Sequence, residues 1–171
     1  MYGHQNDPYP MTIVRDSRGP AETRRLGERL ARLLRPGDVV LLQGELGAGK
    51  TCFAQGIGRG LRVREPVKSS SFVLVNEYHG RLHVYHADLF RLEDPAEVAD
   101  LALEETARDG LLLVEWPDRA PGELPPEHLL VLFEMTGGRT RRISLTPRGE
   151  RYEALVSELE ASSAPRSTAH A

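Results

Sequence analysis

The sequence predicts an α/β fold, a three-layer sandwich with helices on both faces of a central, mostly parallel sheet and with a C-terminal hairpin. Segments with the periodicity of strands and of helices alternate along most of the chain. The apolar run LLLVE at 111–115 is too short for a typical helix and is followed by Pro117, which favours a buried parallel strand. The glycine-rich segment QGELGAGKT at 43–51 joins another apolar run to a helical pattern. These three observations together point to the α/β class.

The composition fits one globular domain. Of the 171 residues, 40% are hydrophobic and 27% are charged, and we expect one folded domain over 11–160 with disordered segments at 1–10 and 161–171. No apolar run approaches the roughly 20 residues that a membrane-spanning helix needs. Residues 1–10 also lack the order of a signal peptide, so we expect a cytoplasmic protein without membrane contact.

Cysteine usage and charge exclude further classes. The single cysteine, Cys52, excludes an internal disulfide and a cysteine-cluster zinc site. The net charge of −3 disfavours wholesale nucleic-acid binding, although it leaves room for a local basic patch. We expect a monomer when the protein is free.

The first half of the chain alternates strand and helix. A short strand is predicted at 12–15, and the leucines of 21–34 recur at helical spacings until Pro36 and Gly37 stop the helix. Arginines oppose those leucines and are interpreted as a solvated face, with Glu28 placed to pair with Arg32. A buried strand at 38–43, a helix at 50–61 and two strands at 72–78 and 82–88 follow.

The second half begins with a predicted helix start and ends in a hairpin. Asp94 is suited to cap a helix, with Pro95 at its first position and Glu97 at its third. After the strand at 111–115, two strands at 128–135 and 140–146 form a predicted hairpin over two glycines. A last amphipathic helix has Tyr152, Leu155, Val156 and Leu159 on its apolar face.

Residues 44–51 match the phosphate-loop pattern G-x-x-x-x-G-K-[ST] through Gly44, Gly49, Lys50 and Thr51. The glycines let the backbone curl so that N–H groups point at phosphate oxygens, and the following helix adds its positive end. The chain has two lysines and twenty arginines, so a lysine where a compact ammonium fits between phosphates is informative. The pattern predicts a P-loop NTPase-like nucleotide site; the alternative is a plain strand-to-helix turn.

Two predicted strands end in carboxylates. Asp88 closes the strand that also carries His86 on the same side, and Glu115 closes the strand before Pro117. In open α/β sheets the carboxyl ends of strands border the ligand crevice, which is where the phosphate loop must also lie. Either carboxylate is therefore a candidate to hold Mg²⁺. The alternatives are a turn cap near Arg91 for Asp88 and a surface pair with Arg119 for Glu115.

The ordered set of motifs resembles the bacterial TsaE (YjeE) family of tRNA threonylcarbamoyladenosine biosynthesis. The resemblance covers about 37–119 and rests on the phosphate loop together with VKSSSFVLVNEY (67–78), HADLFRL (86–92), DLALEE (100–105) and VEWPDR (114–119). It implies a protein that binds ATP with Mg²⁺, hydrolyses it slowly alone and acts with TsaD and TsaB. That system transfers a threonylcarbamoyl group to adenosine 37 of tRNAs reading codons that begin with A. No guanine-reading N-K-x-D motif is present, and the preference for ATP rests on the resemblance.

The resemblance also implies residue roles. Lys50 and Glu115 are the expected catalytic residues; Lys50 contacts the β- and γ-phosphates, and Glu115 orients water or metal. Thr51, Asp88 and Glu115 are expected to serve Mg²⁺. The residues implied at the nucleotide are Glu45, Leu46, Gly47, Ala48, Gly49, Lys50, Thr51, Cys52, Ser71 and Trp116.

The chain departs from the family pattern at two places. The family reads S-P-T-F where this chain has Ser69-Ser70-Ser71-Phe72, so a rigid proline is missing from the implied γ-phosphate-sensing switch loop. Ser71 keeps a hydroxyl for sensing, and loss of proline makes the loop more mobile. Phe90 replaces a common tyrosine and so removes one hydroxyl.

Other functions stay open at this point. A phosphate loop is shared with kinases of small metabolites, although no arginine-bearing lid is obvious after Asp94. A nucleotide-gated binding module with negligible hydrolysis is the third possibility. The hairpin arginines Arg139, Arg141 and Arg142 are candidates for touching tRNA or a partner, but we expect any direct tRNA contact to be weak or indirect.

Overall fold

The computed structural model of the protein describes residues 11–68 and 75–163. Its strands are β1 (Ile13–Ser17), β2 (Val39–Gly44), β3 (Val75–His79), β4 (His83–Asp88), β5 (Leu111–Glu115), β6 (His128–Gly137) and β7 (Thr140–Arg148). Its helices are α1 (Pro20–Ala31), α2 (Lys50–Gly60), α3 (Ala96–Asp100), α4 (Leu103–Thr106) and α5 (Glu150–Ala161), with a short 3₁₀ turn at Pro117–Arg119. Within the described ranges, no helix is both long and apolar enough to cross a membrane.

The seven strands form one mixed sheet in the order β1-β7-β6-β2-β5-β4-β3. The four central strands, β6, β2, β5 and β4, run parallel, whereas β7, β1 and β3 pair antiparallel at the two edges. The predicted α/β class, the central parallel strand at 111–115 and the C-terminal hairpin are confirmed. The carboxyl ends of β2, β4 and β5 consequently meet at one edge of the sheet.

Side-chain alternation along β2 separates two apolar cores. Val40 and Leu42 pack with residues of α1, α2 and α5 on one face. Val39 and Leu41 pack with residues of α3 and α4 on the other. Because successive strand residues point to opposite faces, one continuous apolar run serves both layers. This arrangement produces the predicted three layers.

Helices α1 and α2 lie unusually close together. A Cβ atom added to Gly56 would come within 2.1 Å of the Arg24 carbonyl oxygen, and one added to Gly27 within 2.4 Å of the Phe53 carbonyl oxygen. At the end of α2, Gly60 makes the same approach to Glu28 and Ala31. The missing side chains let the two backbones touch, so these glycines fix how α1 sits on α2.

The end of β2 remote from the phosphate loop is held by α5. The Val39 N–H donates to the Tyr152 hydroxyl at 2.8 Å, and Arg151 donates to the Asp38 carboxylate at 2.7 Å. Burial raises the pKa of Tyr152 to about 12. These contacts fix the strand that delivers the loop at its other end.

Several predicted boundaries differ from the structure. Helix α1 ends at Ala31 instead of residue 34, and the Arg81 guanidinium donates to the carbonyls of Ala31 and Leu34 beyond that end. The helix start predicted at Asp94 is confirmed, because Asp94 Oδ1 accepts the Ala96 N–H at 3.0 Å and α3 begins at Ala96; Ala102, at a left-handed φ of 44°, then separates α3 from α4. Glu28 pairs with Arg59 at 3.7 Å instead of with Arg32. Contacts from α2 and from the turn between β3 and β4 thus override the local pattern of α1.

Three sequence-based expectations fall outside the described residues. These are the disordered segment predicted at 1–10 with residues 164–171 of the tail predicted at 161–171, the start of the strand predicted at 72–78, and the switch loop at 69–72 with Ser71. Within the described part, α5 continues through Ala161.

Candidate nucleotide site

The loop between β2 and α2 curls tightly because two glycines take backbone angles that other residues avoid. Gly47 has φ +78° and Gly49 has φ +108°. The Ala48 N–H donates to the Glu45 carbonyl at 3.0 Å and closes the turn. At the loop's start, a Cβ on Gly44 would lie 2.8 Å from the Phe133 carbonyl oxygen, so β6 packs directly against the backbone there.

Helix α2 presents its N-terminus to this loop. The first helical hydrogen bond runs from the Phe53 N–H to the Gly49 carbonyl at 3.0 Å. The N–H groups of Lys50, Thr51 and Cys52 precede it and have no earlier helical carbonyl to meet. Backbone donors and the positive end of the helix dipole therefore face the turn, an arrangement suited to phosphate.

Lys50 is almost fully buried at the centre of the site, with 5% of its surface exposed. Its Nζ donates to the carbonyl oxygens of Gly44 at 2.5 Å and Glu45 at 2.8 Å. Burial lowers the Lys50 pKa, and the nearby carboxylates of Glu115, Asp88 and Asp118 act in the opposite direction. A buried ammonium loses its hydration, and the negative charges of the nearby carboxylates offset part of that free-energy cost.

The two candidate carboxylates lie side by side at the sheet edge. Parallel pairing of β4 with β5 sets Asp88 opposite Glu115, and the Leu89 N–H donates to the Glu115 carbonyl at 3.1 Å. Asp88 is partly exposed, and its Oδ1 accepts the Phe90 N–H at 3.0 Å. The two strand ends selected from sequence are thus brought together with Lys50.

Glu115 is buried, with 2% of its surface exposed, and its Oε2 lies 2.9 Å from Nε2 of His86. The alternative of a surface pair between Glu115 and Arg119 is therefore wrong. His86 is also buried, and its Nδ1 lies 3.5 Å from the Tyr78 hydroxyl. The Tyr78 hydroxyl in turn donates to the Lys68 carbonyl at 3.3 Å. A polar line runs from Glu115 through His86 and Tyr78 to Lys68, the last described residue before the predicted switch loop.

Trp116 lies directly against the Lys50 ammonium, whose Nζ is 4.2 Å from the ring centroid. Its backbone adopts a left-handed φ of 59°, and its N–H donates to the Leu42 carbonyl at 3.2 Å. The Phe90 ring lies 4.9 Å from the Trp116 ring, and the Arg119 guanidinium covers both. A bulky residue with positive φ is unusual and is typical of functional sites. The aromatic pair therefore forms one wall of the site.

A cleft of about 610 Å³ opens beside the loop. Leu46, Trp116 and Met135 contribute apolar surface to it, and Leu46 is 73% exposed. The volume is in the range of small-molecule sites. Apolar surface that faces solvent at this edge is equally suited to a protein partner.

Arg141 contacts the phosphate loop, which the sequence reasoning missed. Its guanidinium donates to the Gly47 carbonyl at 3.1 Å and to the hairpin carbonyls of Gly138 and Thr140. The adjacent Arg142 instead pairs with Asp16 at 3.2 Å. Alternation along β7 directs the neighbouring Arg141 and Arg142 to opposite faces, so the hairpin arginines do not act as one group.

The donor set fits Mg²⁺ in one specific way. In the described residues, no three His, Cys, Asp or Glu side chains come together as a metal cluster. Thr51, Asp88 and Glu115 offer a hydroxyl and two carboxylates, which are oxygen ligands that Mg²⁺ accepts. Mg²⁺ at phosphate sites takes few protein ligands and fills its octahedron with water and phosphate oxygens. These residues therefore fit a Mg²⁺ ion that arrives with a nucleotide.

Comparison with known proteins gives a consistent result. A family model described as "Threonylcarbamoyl adenosine biosynthesis protein TsaE" matches residues 17–143. The tRNA threonylcarbamoyladenosine biosynthesis protein TsaE of Bacillus subtilis is 41% identical over 142 residues, covering 82% of this chain and 89% of the relative. The TsaE protein of Nostoc sp. is 40% identical, covering 80% and 85%. The crystal structure of Bacillus subtilis YdiB superposes with a TM-score of 0.78 at 35% identity, covering 88% of this chain and 95% of that one.

Proposed function

This chain belongs to the TsaE family, and we propose that it is a Mg²⁺-dependent ATPase that acts with TsaD and TsaB to form threonylcarbamoyladenosine in tRNA. A role in tRNA threonylcarbamoyladenosine biosynthesis follows from the family. ATP hydrolysis and the two partners are the finer part of the proposal. The observation that supports them is the buried Lys50 ammonium, which lies at the sheet edge where β4 ends in Asp88 and β5 ends in Glu115.

We propose that nucleotide binding uses donors that are already in place. The curled backbone at Gly47 and Gly49 and the first turn of α2 direct N–H groups at the β-phosphate. Lys50 exchanges its bonds to the Gly44 and Glu45 carbonyls for bonds to the β- and γ-phosphates. Because the ammonium is buried, each such bond is stronger than it would be in water.

Glu115 is the residue proposed to orient the attacking water. The bond from His86 fixes Oε2, so that Oε1 is held in one direction and is left to accept a hydrogen bond. Pre-organised acceptors of this kind are what phosphoryl transfer chiefly requires of the protein. Mg²⁺, held by Thr51 and Asp88, would supply neutralisation of the phosphate charge.

The line through His86 and Tyr78 is proposed to couple the site to the switch loop. Tyr78 contacts the Lys68 backbone immediately before 69–72, and it reaches Glu115 through His86. A change in the loop would therefore reach the carboxylate that orients water, which gives a physical route for γ-phosphate sensing by Ser71.

We propose that TsaD and TsaB bind near the phosphate loop. Exposed apolar side chains concentrate there: Leu46 is 73% exposed, Met135 is 47% exposed and Phe90 is 37% exposed. Apolar and aromatic side chains contribute most of the energy at protein interfaces. A partner bound over Trp116 and Phe90 would also exclude water from Lys50 and raise turnover.

The test follows Trp116 fluorescence on addition of ATP and Mg²⁺ while phosphate release is measured with and without TsaD and TsaB. Trp116 is the single tryptophan, and it contacts Lys50, so nucleotide should change its emission. We expect slow release alone and faster release with both partners, with both signals lost in Lys50→Ala.

An Arg142→Ala variant is the matched control, because Arg142 pairs with Asp16 away from the loop. Binding without phosphate release under any partner condition would replace the ATPase by a nucleotide-gated binding module. Transfer of phosphate to a metabolite would instead indicate a kinase.

A further inference from the structure

The far end of α2 opens into a groove lined by arginines. It has a volume of about 920 Å³ and is lined by Arg32, Arg59, Arg62, Arg64 and Arg81. Helix α2 has eleven residues, so this groove lies about 16 Å from the Lys50 end. Among the described residues that line it, Glu28 is the one acidic residue. A chain of net charge −3 thus concentrates positive charge at one place.

Two of the five arginines already have partners inside the protein. Arg81 donates to the Ala31 carbonyl at the end of α1, and Arg59 pairs with Glu28. Glu65, close by, is bound by the ring and the N–H of His79, which lower its pKa to about 2. Glu65 therefore stays ionised, with its carboxylate bonded to His79.

Arg32, Arg62 and Arg64 remain, and all three are exposed. Within the ranges that the structure describes, their side chains make neither a hydrogen bond nor an ion pair. Three guanidinium groups without an internal partner face the same groove. Guanidinium groups in that state are available to an external anion.

The backbone at Arg62 is an independent sign of function. The Val63 N–H donates to the Gly58 carbonyl, and the Arg62 N–H donates to the Arg59 carbonyl, which is the Schellman pattern that ends a helix. In this pattern the left-handed residue is usually glycine, but here it is Arg62 with φ 57°. A non-glycine residue held in this conformation costs stability and persists where it has a role. Arginine occupies this position although the backbone conformation favours glycine.

We propose that this groove binds the phosphodiester backbone of RNA, and of tRNA in particular. Planar guanidinium groups match phosphate oxygens, and phosphate contacts dominate backbone recognition. The described residues that line the groove are arginine, glutamate, histidine and glycine, so positive charge distinguishes it from the cleft beside the phosphate loop. The choice of tRNA rests on the proposed function, whereas the choice of a phosphodiester backbone rests on the groove alone.

The test measures binding of an unmodified tRNA transcript to the full chain across a range of salt concentrations. In the groove variant, Arg32, Arg62 and Arg64 are all changed to alanine. In the matched control, the exposed Arg18, Arg25 and Arg108 are changed, which removes the same charge outside the groove. We expect the slope of log K against log salt to fall by about 2 to 3 in the groove variant and by less than about 1 in the control. Equal losses in the two variants would overturn the proposal.

Arg62→Gly separates binding from folding. Glycine suits the left-handed position, so we expect the melting temperature to rise by about 2 °C while the salt slope falls by about 1. A purely structural Arg62 would leave tRNA binding unchanged. Polyglutamate that competes with tRNA at equal charge concentration would overturn RNA in favour of an acidic protein.

Nucleotide binding, followed by Trp116 fluorescence on the same samples, separates this inference from the proposed ATPase. The groove variants should bind ATP as the wild type does, since none of their residues lies at the phosphate loop. If the wild type fails to bind ATP but binds tRNA through the groove, the ATPase proposal fails and the groove stands. If ATP binds but tRNA does not, the groove proposal fails alone.

Discussion

The two ends of helix α2 both carry concentrated positive charge, but they treat it differently. At the N-terminal end the Lys50 ammonium is buried, bonded to two loop carbonyls and surrounded by carboxylates. At the C-terminal end Arg32, Arg62 and Arg64 lie exposed in a groove lined mainly by arginines, with Glu28 in its lining and Glu65 close by. A buried cation needs compensation from the protein, whereas an exposed one is compensated by water. The first end is therefore built for one ligand of defined geometry, and the second for an extended anion.

The surroundings of the two ends differ in the same sense. Apolar side chains such as Leu46 and Met135 lie beside the phosphate loop, whereas the described residues that line the arginine groove are charged, polar or glycine. Exposed apolar side chains suit protein partners, and dense positive charge suits a nucleic-acid backbone. One helix thus connects two surfaces with different partner chemistry.

The largest expected effect comes from a substitution within α2 that disturbs its packing on α1 and so affects both ends of α2. Gly56→Ala places a Cβ 2.1 Å from the Arg24 carbonyl and forces α1 away from α2. We expect unfolding free energy to fall by about 3 kcal/mol or more, because backbone on both sides resists movement. Urea denaturation measures this change. Gly19→Ala is the control, since a Cβ there meets nothing within 4 Å. Equal stability of the two variants would contradict the close helix packing.

The second prediction breaks the loop end alone. Glu115→Ala leaves His86 buried without its 2.9 Å partner, so we expect a loss of about 2 to 3 kcal/mol in stability together with loss of phosphate release. Asp88→Ala should also stop phosphate release but cost less stability, because Asp88 is partly exposed. Urea denaturation and phosphate release on both variants test this difference. Binding of tRNA should persist in both, and its loss would argue against two separate surfaces.

The third prediction sharpens the comparison through two neighbouring arginines. Arg141→Ala removes the donor to the Gly47 carbonyl and loosens the loop, so we expect ATP affinity to fall about tenfold, or about 1.4 kcal/mol. Arg142→Ala removes an exposed pair with Asp16 and should change affinity less than about twofold. Titration of Trp116 fluorescence compares the two. Similar affinities would show that Arg141 does not position the loop.

The smallest expected effect is a loss of stability at alkaline pH. Burial raises the pKa of Tyr152 to about 12 from an unfolded value of 10, so the folded state keeps its proton longer. Stability from this group is complete below pH 10 and is lost as the pH rises toward 12. Tyr152→Phe should remove this slope between pH 10 and 12 while it costs about 1 kcal/mol at pH 7. Urea midpoints at several pH values measure both quantities, and an unchanged slope would refute the assignment to Tyr152.

Local patterns were sufficient wherever a short segment carries its own geometry. The run at 111–115 predicted a parallel strand because buried parallel strands are apolar on both faces, and β5 lies between β2 and β4. The spacing of Gly44, Gly49 and Lys50 predicted the loop, and in the structure Gly49 has a φ of +108°, a conformation that other residues avoid. The predicted α1 is too long, because the helix ends where Arg81, from the turn between β3 and β4, donates to the Ala31 carbonyl.

The sequence by itself determined the fold class, the phosphate loop and the two carboxylate strand ends, since each rests on residues that are neighbours in the chain. The tertiary structure alone decided that Glu115 is buried against His86, that Arg141 contacts Gly47 and that arginines at the C-terminal ends of α1 and α2 share one groove with Arg81. The physical reason is that burial and charge compensation depend on which segments meet in space. Those segments are brought together by the glycine contacts between α1 and α2 and by the parallel pairing of β4 with β5. Each of these contacts needs residues from two segments, so no single segment specifies it.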